Sequence, residues 1–353
     1  MKAGTDIAFD IKRKWEQRQM ELKEAMSTMV KPAEHMAKLA QILINSTADD
    51  SDVDTLISTL TELESLVTDV DNARDFHTIG AWQILLKMLY SHQNQDKIIM
   101  HVAWTIGTVV KNNYDYQLWL LEDVETVPSA GNRSANCLNM LVRCLSSETN
   151  YTQETQRRIL YAISSGARGN ADIQEALLAT KVFLVNSEGD DNVSSFLELF
   201  YELADRSQRD STVEISRKIW ALVSDMLDER QYIRQELLQI VSGDLSESAR
   251  ASVDEEISTL SLLGDRFCAS EWATLAKVQL DHFSRLTVTK EDIPSWNALV
   301  GNLVTCLQSM AQQCPQHLND ADLVQLKSRV WTDLGWADVS INGEVANASI
   351  TAS

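Results

Sequence analysis

The sequence predicts an all-α fold, a helical repeat solenoid with helical extensions at both ends. Three observations predict it. The segment 102–115, VAWTIGTVVKNNYD, has a counterpart at 159–172, ILYAISSGARGNAD, an offset of 57 residues. Self-similarity at a fixed spacing is the signature of stacked repeats, because each unit buries its apolar face only against its neighbours. Apolar residues recur at helical spacing along most of the chain, and no segment alternates with the period of a strand. Finally, 12 glycines and 4 prolines in 353 residues are too few for the many turns of an all-β fold.

The elements follow in order. Residues 1–30 form an N-terminal amphipathic helix, partly flexible, with Ile7, Ile11, Trp15, Leu22 and Met26 along one face. It reads as a partly docked helix or as a dedicated partner helix. A second helix opens at Lys31-Pro32-Ala33-Glu34, where proline's missing N–H costs nothing. Armadillo-like repeats occupy 31–211. The first copy is LTELESLV at 60–67, turning at DNARDF in 71–76 and followed by GAWQILLKMLY at 80–90. The second and third are the matched segments, each leading into a short helix, 116–121 and 173–178. The excess of the spacing over the usual ~40–47 residues is a polar insertion at 122–135, with Pro128 and Gly131. A fourth, eroded copy is read at 196–204, FLELFYELA. Residues 212–336 continue and cap the solenoid with helices near 212–241, 253–264, 269–286, 295–313 and 319–334. The polar tail 337–353 is disordered in this reading.

Composition excludes several functions. A formal charge of −20 repels phosphate backbones and anionic lipid surfaces. No apolar run reaches the ~18 residues that span a bilayer. The five cysteines form no CxxC or Cys/His cluster, so no metal site is expected. Cys137 and Cys144 share one helical face and read as core, and an odd count leaves at least one thiol free or paired between chains. The six histidines lie on different helices without HExxH spacing, and no GxGxxG, P-loop or GxSxG is present. Acidic pairs such as Glu255-Glu256 read as solvated faces. Neither catalysis nor a cofactor is expected, and the chain reads as a monomer.

Helical wheels of the last helix in each unit separate core from surface. Thr61 and Ser65 fall outside the first stripe, opposite Leu56, Leu60, Leu63 and Val67. Lys97, Trp104 and Thr108 lie opposite Ile98, Val102, Ile106 and Val109. Arg158, Tyr161, Ser165 and Arg168 point away from Ile159, Ile163 and Ala167, and Glu198 and Tyr201 stand off the fourth stripe. In an armadillo solenoid these helices line the concave groove. One Trp and two Tyr at matching positions would supply large, amphipathic anchors for a protein partner. For each aromatic the alternative is packing against a neighbouring unit.

These residues carry a family resemblance. LTELESLVTDVDNARDFHTIGAWQILLKML resembles the first repeat of the armadillo-type nucleotide exchange factors of DnaK-type (heat-shock 70 class) chaperones, and the similarity covers about residues 50–205. The KPAEHM helix opening and the late segment LLGDRFCASEWATLAKVQL are closest to the luminal Sil-type factor of the chaperone BiP, with the cytosolic Fes-type branch second. Sequons at Asn45, Asn132, Asn150, Asn192 and Asn347 are compatible with a lumen. The resemblance implies a non-catalytic protein that embraces one lobe of the chaperone's nucleotide-binding domain and promotes ADP release. It also implies residence in the endoplasmic reticulum lumen, with a signal segment not visible in the first thirty residues; the alternative compartment is the cytoplasm. The alternative function is a generic armadillo adaptor for an extended peptide.

Overall fold

The computed structural model describes residues 12–21, 23, 31–45, 53–124, 136–146, 150–185, 191–241, 262–286 and 292–318. The tail at 337–353, the helix expected at 319–334, most of the 122–135 insertion and the start of the 253–264 helix lie outside the described residues. Among the described residues the fold is all-α, with one short hairpin. The chain divides into two compact units, Met1–Ile84 and Leu85–Ser353.

In the first unit residues 12–21 are helical and exposed, with Trp15 63% and Met20 67% accessible. Helix α1, Pro32–Asn45, buries Met36, Leu39, Ala40 and Leu43. It packs on α2, Val53–Leu66, and on α3, Val70–Thr78. The DNARDF stretch, expected to be a turn, is helical, and the chain turns just ahead of it at 67–69. Asp69 caps α3 by accepting from the N–H groups of Asp71 and Asn72, and the Asn72 amide donates to the Leu66 carbonyl at 3.0 Å, closing the end of α2. Ala73 and Phe76 enter the core, at 2% and 0% exposure.

Helix α4, Ala81–Ser91, carries the boundary between the units. The second unit then runs α5 (Asp96–Val110), α6 (Tyr114–Gln117, continuing as a 3-10 turn Leu118–Leu121), α7 (Cys137–Arg143), α8 (Gln153–Ala167) and α9 (Ala171–Ala179). The hairpin strands β1 (Lys181–Val185) and β2 (Asp191–Ser195) follow, then α10 (Phe196–Arg209), α11 (Val213–Val241), α12 (Leu263–Phe267), α13 (Ser270–Ser284) and α14 (Ile293–Gln313). Helices α5, α8, α11 and α14 pack in series as rungs, while α7, α10 and α13 pack on the rungs that follow them.

The turn leaving each rung repeats in detail. Lys111 and Arg168 are extended, with φ −64° and −66°. Asn112 and Gly169 then take left-handed φ values of 58° and 68°, a region suited to asparagine and glycine. Asn113 and Asn170 cap the next helix through their side chains. Four residues further on, Gln117 donates to the carbonyls of Ser165 and Arg168, both at 2.9 Å, while accepting from the buried Asn170 amide at 3.0 Å. Gln174 repeats the gesture, donating to Glu229 at 3.1 Å and accepting from the Leu263 N–H at 3.3 Å. A buried amide is stable only when satisfied, so this ladder fixes how consecutive units register.

Two further expectations are corrected. The fourth copy does not lie at 196–204: α10 packs on α11 and α13, and the next rung is α11. Pairs across α8 and α11 keep the 57-residue separation, as in Arg157–Glu214 and Arg168–Asp225. The second correction is the hairpin, which pairs Lys181 with Ser195 and Val182 with Ser194. It stands where the previous unit has the Asp123–Asn136 bridge, so both units carry antiparallel pairing ahead of their second helix. KVFLV is a short apolar run without alternation, a pattern that periodicity does not separate from a buried helix.

Cys268, beside α12, is disulfide-bonded to Cys314 at the end of α14. Cys137, Cys144 and Cys306 are buried free thiols. Burial pushes the thiols of Cys137 and Cys306 well up and that of Cys144 up to about 11.

Candidate functional site

The polar residues of three rungs form one face. On α5 it comprises Lys97, His101, Trp104 and Thr108; on α8, Glu154, Arg157, Arg158, Tyr161 and Arg168; on α11, Glu214, Arg217, Lys218 and Asp225. All are exposed or half-buried. The 57-residue spacing sets Trp104, Tyr161 and Lys218 in equivalent positions.

Each aromatic is covered by a cation from a following rung. The Arg158 guanidinium lies 3.7 Å from the Trp104 ring centroid, and its Nε donates to Glu154 at 2.9 Å. The Lys218 ammonium lies 5.8 Å from the Tyr161 centroid. Such contacts contribute on the order of 0.5–2 kcal/mol, more as water is excluded. Behind the face Tyr161 lies against Gly107, where an added Cβ would sit 2.6 Å from the ring. The His101 ring lies 6.1 Å from Trp104, and burial, then the Arg158 charge, holds its imidazole below the ordinary histidine range. Arg157 bridges Glu154 and Glu214, Arg217 also pairs with Glu214, and Arg168 pairs with Asp225.

The expected site residues fall into three groups. Lys97, Trp104, Thr108, Arg158, Tyr161 and Arg168 share the rung face. Thr61 and Ser65 are exposed on α2 in the first unit, with the Thr61 hydroxyl donating back to the Ile57 carbonyl at 2.7 Å. Ser165 is corrected, and Glu198 and Tyr201 stand on α10, which is not one of the rungs. Ser165 is 4% exposed, because a middle rung is flanked on both sides and its buried arc is wider than a single-helix wheel allows. Glu198 closes a capping box, accepting the Ser195 N–H at 2.7 Å and the Ser195 hydroxyl at 3.0 Å. Tyr201 stands edge-on to Trp272 of α13 at 5.4 Å, within the aromatic cluster that includes Phe200 and Phe267. Sequence reasoning missed Arg157, Glu214, Arg217, Lys218 and Asp225. The signal was available: adding 57 to Tyr161 and Arg168 lands on Lys218 and Asp225.

Among the described residues no cluster of His, Cys, Asp and Glu could hold a metal ion, and no helix is long and apolar enough to cross a membrane. The face offers aromatic and charged anchors, the residue types that concentrate energy in protein interfaces.

No protein-family model matches the chain. Parts of the chain are similar in sequence to Hsp70 nucleotide exchange factors. It is 29% identical over 202 residues to the Hsp70 nucleotide exchange factor fes1 of Schizosaccharomyces pombe, covering 57% of this chain and 60% of that protein. It is 28% identical over 148 residues to the Hsp70 nucleotide exchange factor FES1 of Gibberella zeae, covering 42% of this chain and 62% of that one. A third match, to the FES1 protein of Cryptococcus neoformans, is 31% identical over 72 residues, 20% of this chain and 18% of that protein. The chain thus spans about three fifths of the length of the first two relatives. All three carry the Fes name, so the similarity supports the Fes-type branch, and the preference for the Sil-type branch gains no support from them.

Proposed function

We propose that the chain binds the nucleotide-binding domain of a DnaK-type chaperone through its rung face and promotes ADP release without performing chemistry. The observation that supports this reading is the coincidence of similarity to Hsp70 exchange factors with a row of amphipathic anchors on successive rungs. Thr61 and Ser65, exposed on α2 of the first unit, are proposed as partner contacts of that unit in their own right. The mechanism is linkage: a factor that loosens nucleotide must itself be loosened by nucleotide, so ATP rebinding ejects it. Such a factor needs a rigid scaffold, which the amide ladder and the satisfied rung turns supply, and it acts as a monomer.

The decisive measurement is stopped-flow release of labelled ADP from BiP and from a cytosolic homologue at increasing factor concentration. Accelerated release that saturates is the expected result. Release at the chaperone's intrinsic rate with folded protein defeats the reading. Binding that persists unchanged in excess ATP favours the alternative, an adaptor for an extended peptide. Trp104→Ala and Tyr161→Ala each weaken chaperone binding by about 2 kcal/mol, roughly thirtyfold, with helicity retained.

For compartment, the Cys268–Cys314 disulfide supports a luminal reading, since disulfides persist in oxidising compartments and are rare in the cytosol, whereas the similarity to Fes-type factors supports the cytoplasmic alternative. Acid-quenched alkylation of the protein in cells tests it. Cys268 and Cys314 found reduced at steady state would place the protein in the cytoplasm instead.

A further inference from the structure

The rung face holds a charge imbalance that the exchange-factor reading does not by itself predict. Arg157, Arg158, Arg168, Arg217 and Lys218 converge from α8 and α11. Their ion-pairing partners are three carboxylates, Glu154, Glu214 and Asp225. Each of these carboxylates is engaged by at least one arginine, and Glu154 and Glu214 each by two. Glu229, close by, is occupied with the Gly169 N–H at 2.9 Å and the Gln174 amide at 3.1 Å. Asp228 accepts the Ser309 hydroxyl at 2.8 Å.

Lys218 is left over. Its ammonium lies over the Tyr161 ring and makes no ion pair or hydrogen bond among the described residues. Burial, then the charges of Arg217, Arg168 and Arg157, holds it below the ordinary lysine range, and Glu214 only partly offsets them. A long, flexible lysine normally escapes such a place by turning its head into water. Here it stays half-buried beside three guanidinium groups, and a bound carboxylate would relieve that repulsion. The rest of the chain is strongly acidic, with a formal charge of −20. An acidic partner surface is therefore repelled by the chain as a whole and attracted at this cluster, which gives docking a definite register.

We infer that Lys218, set on Tyr161 and flanked by Arg157, Arg168 and Arg217, is the anchor for an acidic side chain of the bound chaperone. This rests on the exchange-factor reading: the occupant is a carboxylate on the chaperone's nucleotide-binding domain, and Tyr161 supplies the apolar floor that keeps water from the pair.

The test uses the full chain and a full-length DnaK-type chaperone. Affinity is measured at low and high salt for wild type, Lys218→Met, Lys218→Arg and Lys218→Glu, with ADP release followed in parallel. Lys218→Met should weaken binding about tenfold or more and flatten its salt dependence, as expected for a central interface charge. Lys218→Arg should restore both, and Lys218→Glu should bind weakest of the four. Lys218→Met gives up its contact with the Tyr161 ring, so cooperative unfolding with a midpoint lowered by no more than that contact contributes excludes a folding defect.

Amine-acylation footprinting reads the contact directly: Lys218 should be reactive in the free protein and protected by the chaperone. Wild type that accelerates ADP release while Lys218→Met binds equally well, with the same salt slope, overturns this inference and leaves the exchange-factor reading standing. Wild type that neither binds nor accelerates release overturns both. Protection of Lys218 by millimolar inorganic phosphate alone overturns it too, because the cluster would then be a free-anion site.

Discussion

Gly107 shows how one missing Cβ sets a contact between rungs. Its absence lets the Tyr161 ring and the Ala162 backbone of the next rung come close, the latter to 3.0 Å from an added Cβ. Gly107→Ala therefore forces either a ring displacement or a helix shift, and overpacking of this kind costs about 1–3 kcal/mol. Gly166→Ala should cost less, because its Cβ would meet the flexible end of Leu120. Urea midpoints of the two variants check the order. Glu198 illustrates a different local effect. Hydrogen bonds from the Ser195 N–H and hydroxyl hold its carboxyl below the ordinary glutamate range. A lowered folded-state pKa means stability that is present above the unfolded value and lost as pH falls through the folded one. Glu198→Gln should lower stability at neutral pH and remove part of the acid sensitivity, seen by comparing urea midpoints at about pH 7 and about pH 3.

At the scale of elements, the KNN and RGN turns and the glutamines behind them are the repeat's working parts. Asn170 is fully buried, caps α9, and donates to Gln117 and to the Tyr114 carbonyl. Replacing it with Ala removes the cap and strands the Gln117 amide oxygen, so Asn170→Ala should cost about 2–3 kcal/mol. Asn113→Ala, at a half-buried cap, should cost only about 1 kcal/mol. Thermal unfolding of both variants measures the difference. These turns were legible in the sequence as part of the 57-residue match, because a turn with left-handed φ selects Asn or Gly wherever it occurs. The hairpin at Lys181–Val185 was not legible, since its partner strand DNVSS carries little strand propensity and the pairing exists only in the fold.

On the scale of the whole molecule, the disulfide between Cys268 and Cys314 ties α12 to the end of α14 across a separation of 46 residues. Closing a loop of that length in the unfolded chain is worth about 4 kcal/mol in the chain-entropy model. Urea unfolding of the native protein should shift to a lower midpoint in Cys268→Ser/Cys314→Ser or after reduction. What the sequence by itself determined was the helical class, the repeat spacing, and the place of Trp104, Tyr161, Arg158 and Arg168 off the apolar stripes. Helical period and turn chemistry are local properties, written in residues a few positions apart. What only the tertiary structure decided was which side of each helix a second neighbour covers. That is why Ser165 is buried, why Tyr201 packs on Trp272, and why α11 is the rung that follows α8. It is also why Lys218 and its surrounding arginines became visible. Their chemistry depends on charges brought together from helices 57 residues apart, and no window along the chain contains them.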